Sequence, residues 1–214
     1  YYILRFCELK LLRGYNPQLF GPREYKMTDF QDVVAVVSGA GTGIGRSVAR
    51  GLAAGGARVG LVGRRYEKLR EAAQGLDPQR SRVLVCDVSD RSAVSRMAES
   101  VNLDFGDVGV LVNNAGMNTN PRTLEDVDPN DWDKTVSVNL TGAFNMVRAL
   151  LPGLRRESGV VVNIASIAGL RASKLAGGAY SASKHGMVAL THSINEEEVA
   201  YGVRACAICP GEVA

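Results

Sequence analysis

Tyr180 and Lys184 stand four positions apart in "AYSASKHG", with only serine and alanine between them. On a helix that spacing puts a phenol and an ammonium on one face, one turn apart. A phenol ordinarily titrates near 10, and lowering that by about 2 to 3 units takes roughly 3 to 4 kcal/mol of preferential stabilisation of the phenolate. A neighbouring cation in a partly dry cleft has the right sign to supply it, which makes the pair a candidate proton-transfer device. Alone, a YxxxK match describes a surface helix with a solvated lysine more often than a site. Ser181, Ala182, Ser183 and Gly186 nevertheless keep the segment thin, as a helix passing beside ligands must be.

A second candidate is "SGAGTGIG", residues 38–45. The spacing GxGxxG fails, because a count from Gly39 puts its third glycine on Ile44; GxxxGxG fits through Gly39, Gly43 and Gly45. Glycines in such a turn let the backbone approach a pyrophosphate and aim the following helix N-terminus at its charge. Gly41, Thr42 and Ile44 complete the loop.

These motifs need a scaffold that brings them together. From residue 33, β-branched runs alternate with helical patterns: "VVAVVS", "RVGLVG", "RVLVCD", "VGVLVNN", "GVVVNIAS" and "VRACAICPG" read as strands. Between them, helices are expected over "GRSVARGLAAGGA", "YEKLREAAQGL", "RSAVSRMAESVNLDF", a long segment from about 131 to 156, and another from about 179 to 201. Strands without polar alternation, each followed by a helix, predict an α/β fold: a doubly wound parallel sheet, Rossmann-like, with helices on both faces. Ligands of such sheets bind beyond the carboxyl ends of the strands. The loop at 38–45, "CDV", "NNAG", "ASI" and "CPGEV" all fall there.

Taken in order, "SGAGTGIG", "CDV", "NNAG" at 113–116, Asn139 in "SVNLTG", Ser166 in "NIASIAG", "YSASK" and "CPGEV" resemble the short-chain dehydrogenases/reductases, over about residues 33–214. The resemblance implies a nicotinamide cofactor and a sheet of seven strands, the last expected to be missing from this chain. It makes Tyr180 the acid/base, Lys184 its activator, Ser166 the group that binds the reacting oxygen and Asn139 a proton-relay support holding a water. Cofactor contacts would come from Gly39, Thr42, Gly43, Ile44, Gly45, Asp87, Val88, Asn113, Ala115, Gly116, Pro210, Gly211 and Val213, with Tyr180 and Lys184. Met117, Asn118, Ile167, Leu175 and Val213 are expected on the substrate side. Ser166 and Tyr180 are 14 apart, one more than is usual in the family, and the loop "GLRASKLAGG" is expected to absorb the difference.

The end of the second strand reads "LVGRR". A carboxylate there would receive ribose hydroxyls and repel a 2′-phosphate, whereas Gly63 removes that repulsion and Arg64 and Arg65 offer phosphate contacts. The expected cofactor is NADP, with NAD possible, and the expected reaction is hydride transfer to or from a secondary alcohol/ketone pair. The alternative is a non-catalytic dinucleotide-binding regulatory or scaffold protein, which would have no need of the Ser166, Tyr180, Lys184 and Asn139 set.

At 214 residues and a formal net charge of +3, spread without a long basic run, the chain reads as one soluble domain with small-molecule partners and no nucleic acid. Residues 31–214 form the expected dinucleotide-binding domain, and 1–30 an extension with a short amphipathic helix and a turn-rich linker. No apolar run approaches the length of a bilayer span, and a cytoplasmic location is expected. The four cysteines, Cys7, Cys86, Cys206 and Cys209, suit reduced thiols, mostly buried. His185 and His192 lack further ligands, so no metal is expected. Trp132 and Phe144 are expected to anchor helix packing, and the paired long helices suggest a homo-oligomer, a dimer or a homotetramer.

Overall fold

Each β-branched run becomes a strand: β1 Val34–Ser38, β2 Arg58–Gly63, β3 Ser81–Val85, β4 Val110–Asn113, β5 Val160–Ile164 and β6 Arg204–Ile208. The computed structural model describes residues 30–211. Its six strands are all parallel, in the order β3-β2-β1-β4-β5-β6. Winding therefore reverses between β1 and β4, the crevice where such sheets take ligands. The predicted amphipathic helix, its linker and Val213 lie outside the described residues.

Helices cover both faces because β1 is apolar on both. Val34 and Val36 point to one side, Ala35 and Val37 to the other, and all are buried. On the first side Met97 and Val101 of α3 (Arg91–Phe105) join Met146 and Leu150 of α5 (Gly142–Arg156). On the second, Ala49 and Leu52 of α1 (Gly43–Ala54) join Leu69 of α2 (Tyr66–Ala73). Sequence dictates the helix ends. Asp90 caps α3 by accepting from the Ser92 and Ala93 amides, and Asp128 caps α4 (Pro129–Val136), whose first residue is proline.

Four expectations are corrected. The predicted long helix over 131–156 is α4, a π-helical turn at Ser137–Thr141 and α5, the break falling around Asn139. The predicted helix over 179–201 is α6 (Gly178–Glu198) ending in a 3-10 turn. Trp132 does pack, its ring 3.4 Å from where a Cβ on Gly178 would lie, but Phe144 is 40% exposed and is not a buried anchor. Cys86 and Cys209 are free thiols as expected, but Cys206 is not, which corrects the expectation of a fully reduced set. None of the described helices is long and apolar enough to cross a membrane.

Candidate active site

The glycine loop is a backbone construction. Gly39 and Gly43 adopt φ of 65° and 53°, the left-handed region that other residues resist. Gly45 meets a different constraint, because a Cβ there would sit 2.4 Å from both the Gly39 oxygen and Asn114 Nδ2. Asn114 makes the approach close: its Nδ2 donates to the carbonyls of Ser38 and Gly39 at 3.0 and 3.2 Å. Ser38 Oγ in turn accepts from the amides of Asn114 and Ala115, both at 3.0 Å. The ends of β1 and β4 are thereby stapled at the switch point.

Asn113, expected in the groove, is not there. Its side chain is buried in the core and donates to Asn163 Oδ1 on β5 at 3.0 Å. Strand alternation sends neighbours to opposite sides, so the second asparagine of "NNAG", not the first, reaches the loop. Asn114 was missed; the signal was a turn whose carbonyls need a donor from across the crevice.

A cleft of about 270 Å³ runs from this loop across the strand ends. Gly39, Thr42 and Ile44 line one part, Arg64 and Arg65 another, and Asp87, Val88, Ala115 and Gly116 the rest; Lys68 also borders it and was not foreseen. Arg64 Nη1 lies 3.9 Å from Asp87 Oδ2 at the surface. Partial burial works against the Asp87 charge, but hydrogen bonds from the Ser89 hydroxyl and amide, with Arg64 and Lys134 nearby, hold its carboxyl below the ordinary carboxylate range. Its lining, a glycine loop flanked by Arg64, Arg65 and Lys68, suits the phosphate-bearing part of a nucleotide. Thr42 at the N-cap of α1 makes no side-chain cap bond and no acidic residue occupies the first turn, so its amides keep their capacity for an anion.

The second half of the site is built from buried side chains. Lys184 on α6 is 3% exposed, and its Nζ donates to the Ile164 carbonyl at 2.7 Å, with Met187 Sδ 3.4 Å away. That ammonium lies 5.7 Å from the centre of the Tyr180 ring. Burial pulls the Lys184 pKa down to about 8, opposed in part by the nearby Cys209 thiol. Asn139 is fully buried on the π turn. Its Oδ1 accepts from the Met117 amide at 2.8 Å, while Nδ2 donates to the Met117 carbonyl at 2.9 Å and to Ser183 Oγ at 3.0 Å. Ser183 donates on to the Tyr180 carbonyl at 2.8 Å. Asn139 is thus turned inward, where its bonds grip the Met117 backbone and Ser183 of α6.

Gly116 links the two halves. A Cβ there would lie 3.4 Å from Asn139 Oδ1 and 3.6 Å from Lys184 Nζ, so the cleft wall runs directly onto the polar cluster. Ser166 follows β5 in extended conformation and caps the 3-10 turn Ile167–Gly169, its Oγ accepting from the Ala168 amide at 3.2 Å. The hydroxyl proton is left for another acceptor. The Ile167 amide donates to the Pro210 carbonyl at 2.8 Å, which brings "CPG" beside Ser166; Gly211 follows it. The extra residue between Ser166 and Tyr180 falls in a loop held by Asn118 Nδ2 to the Ala176 carbonyl, 2.9 Å, and Arg122 Nη1 to the Leu175 carbonyl, 3.0 Å. Ile167 and Leu175 are exposed on this side.

Comparison with known proteins agrees with this geometry. The short chain dehydrogenase family model matches residues 33–214. An uncharacterised oxidoreductase of Staphylococcus saprophyticus is 36% identical over 191 residues, 87% of this chain and 81% of that protein. Among solved structures, a metagenomic short-chain oxidoreductase in complex with NADP superposes with a TM-score of 0.78 at 37% identity, covering 86% of this chain and 84% of the other. A short-chain dehydrogenase of Novosphingobium aromaticivorans gives a TM-score of 0.80 at 28% identity, over 86% and 71% of the two chains. The chain belongs to the short-chain dehydrogenase/reductase family of NAD(P)-dependent oxidoreductases.

Proposed function

We propose that the protein interconverts a secondary alcohol and a ketone with NADP(H), and that Tyr180 is the acid/base. The observation that carries this reading is the placement of Lys184: a buried ammonium one helical turn from Tyr180, against Gly116 at the end of the dinucleotide cleft. NADP(H), when bound, would supply or accept the hydride. In the reducing direction Tyr180 donates its proton to the developing alkoxide, and the Ser166 hydroxyl donates a hydrogen bond to the same oxygen, strongest as charge builds up. Lys184 lowers the cost of the phenolate left on Tyr180. Asn139 keeps Met117 and Ser183 fixed around that cation.

The adenine end supports NADP over NAD. Gly63 presents no carboxylate to a 2′-phosphate, and Arg64 and Arg65 border the cleft where one would bind. The relative solved with NADP agrees. Residues 31–214 are read as one catalytic unit with 1–30 as an extension, and the exposed Phe144 on α5 supports a dimer or tetramer of this chain.

The test is NADPH oxidation by the full chain with a panel of ketones, followed by nicotinamide absorbance. Tyr180→Phe is expected to cut turnover about 10²- to 10⁴-fold and to leave NADPH affinity within a few-fold. Tight NADPH binding by the wild type, with no turnover on any ketone or alcohol, overturns the reading in favour of a scaffold.

A further inference from the structure

A buried polar ladder crosses the core beneath α6. Asn113 Nδ2 donates to Asn163 Oδ1 at 3.0 Å, Asn163 Nδ2 to Thr191 Oγ1 at 2.9 Å, and Thr191 Oγ1 to the Met187 carbonyl at 2.8 Å. None of Asn113, Asn163 and Thr191 is more than 3% exposed, and Asn113 Oδ1 has no partner among the described residues. Apolar groups of similar shape in these positions would be close to neutral or stabilising, so stability alone does not account for the ladder. Buried polar contacts can instead specify how two elements align.

The register at stake is that of α6 on β5. Asn163 immediately precedes Ile164, whose carbonyl receives Lys184 Nζ at 2.7 Å. Thr191 lies seven residues beyond Lys184, two turns along the same face. Met187, whose carbonyl accepts from Thr191, holds its sulfur 3.4 Å from Lys184 Nζ. Strand and helix are thus joined at two points. The second joint fixes the roll of the helix against β5 near Lys184, as the Asn195–Ala205 pair does against β6 at the far end.

Resting on the reading that Lys184 serves Tyr180, we propose that Asn163 and Thr191 are positioning residues that lock α6 onto β5, holding the Lys184 ammonium on the Ile164 carbonyl and within range of Tyr180. Neither touches the cleft. Their effect passes through Lys184, so it is read as a loss of turnover with cofactor binding retained.

Thr191→Val keeps the shape and removes the hydroxyl. Turnover is expected to fall about 10- to 100-fold, as a small misplacement of reacting groups does, with the NADPH KM within about threefold. Lysine side-chain NMR, with Lys184→Arg to assign the signal, is expected to move the Lys184 titration from about 8 towards its ordinary 10.5. Thr191→Ser is expected to restore both. Wild-type turnover and an unmoved Lys184 titration in Thr191→Val overturn the proposal, as does a Thr191→Ser variant no better than the valine. Should Thr191→Val not fold, the Asn113→Leu/Asn163→Leu/Thr191→Val triple, which leaves no ladder amide unpaired, is measured in its place; failure of both to fold assigns the ladder to stability and overturns the proposal. Tyr180→Phe run alongside separates the two readings: wild-type turnover there sinks the catalytic assignment, while the Lys184 titration still reports on the ladder.

Discussion

The two ends of the site are organised by different means. At the glycine loop the proposed cofactor contacts are backbone ones, and what matters is the absence of side chains at Gly39 and Gly45 together with amides left open at the start of α1. At the other end Lys184, Asn139 and Ser183 are side chains set by buried hydrogen bonds from β5, the π turn and α6. A backbone site tolerates no added volume, whereas a side-chain site keeps its fold through many substitutions and loses alignment. The largest expected effect is therefore at Gly45. Gly45→Ala forces a Cβ to within 2.4 Å of the Gly39 oxygen and Asn114 Nδ2, and the loop must move. NADPH affinity is expected to drop on the order of 100-fold or more, about 3 kcal/mol, by fluorescence titration. Gly43→Ala is the control: φ is 53° but nothing lies within 4 Å, so only about 1 to 2 kcal/mol of backbone strain is expected. Equal effects at the two positions would break the contrast.

The same contrast governs what the sequence discloses. Glycine spacing after a strand identified the loop, and uninterrupted valine runs the parallel sheet, because both reflect local backbone and burial requirements. Asn114 was overlooked for Asn113 because the choice depends on where β4 ends, and a shift of one residue reverses the side-chain direction. The π turn at Ser137–Thr141 was hidden for another reason: "SVNLTG" continues a helical pattern, and only the tertiary demand on Asn139 to grip Met117 favours the extra residue in the turn. The Asn163–Thr191 contact joins positions 28 apart, one on a strand and one on a helix, and no local pattern records it.

At the side-chain end, the sharpest test concerns the cost of burying Lys184. The unfolded chain keeps that proton up to about 10.5, whereas the folded protein releases it near 8. Stability therefore rises with pH between those values, and below 8 the folded state bears the full cost of the buried charge. Lys184→Met removes the charge and retains most of the volume. It is expected to raise stability by about 1 to 3 kcal/mol at pH 7 in urea denaturation, the lower figure allowing for the lost bond to Ile164, while turnover is lost. The gain is expected to shrink as pH rises from 8 to 10.5. A variant less stable than wild type at pH 7 would mean that the ammonium is better solvated than its 3% exposure implies.

The smallest expected effect lies at the rim of the cleft, where Arg64 and Asp87 face each other across 3.9 Å with both side chains more than a third exposed. An exposed pair of this kind adds little to stability, so Arg64→Ala should leave the unfolding midpoint nearly unchanged. Its consequence belongs to discrimination between cofactors. Loss of the guanidinium removes a phosphate partner and also exposes Asp87 without its nearest cation, which adds repulsion towards a 2′-phosphate. The ratio of kcat/KM for NADPH over NADH is expected to fall about 5- to 10-fold, mostly through the NADPH KM, with Arg65 and Lys68 supplying what preference remains. The drop should diminish at high salt, since the contact is screened at the surface. If instead NADH and NADPH are used equally by the wild type, the arginines at 64 and 65 are ordinary surface charge, and Gly63 has only removed a repulsion.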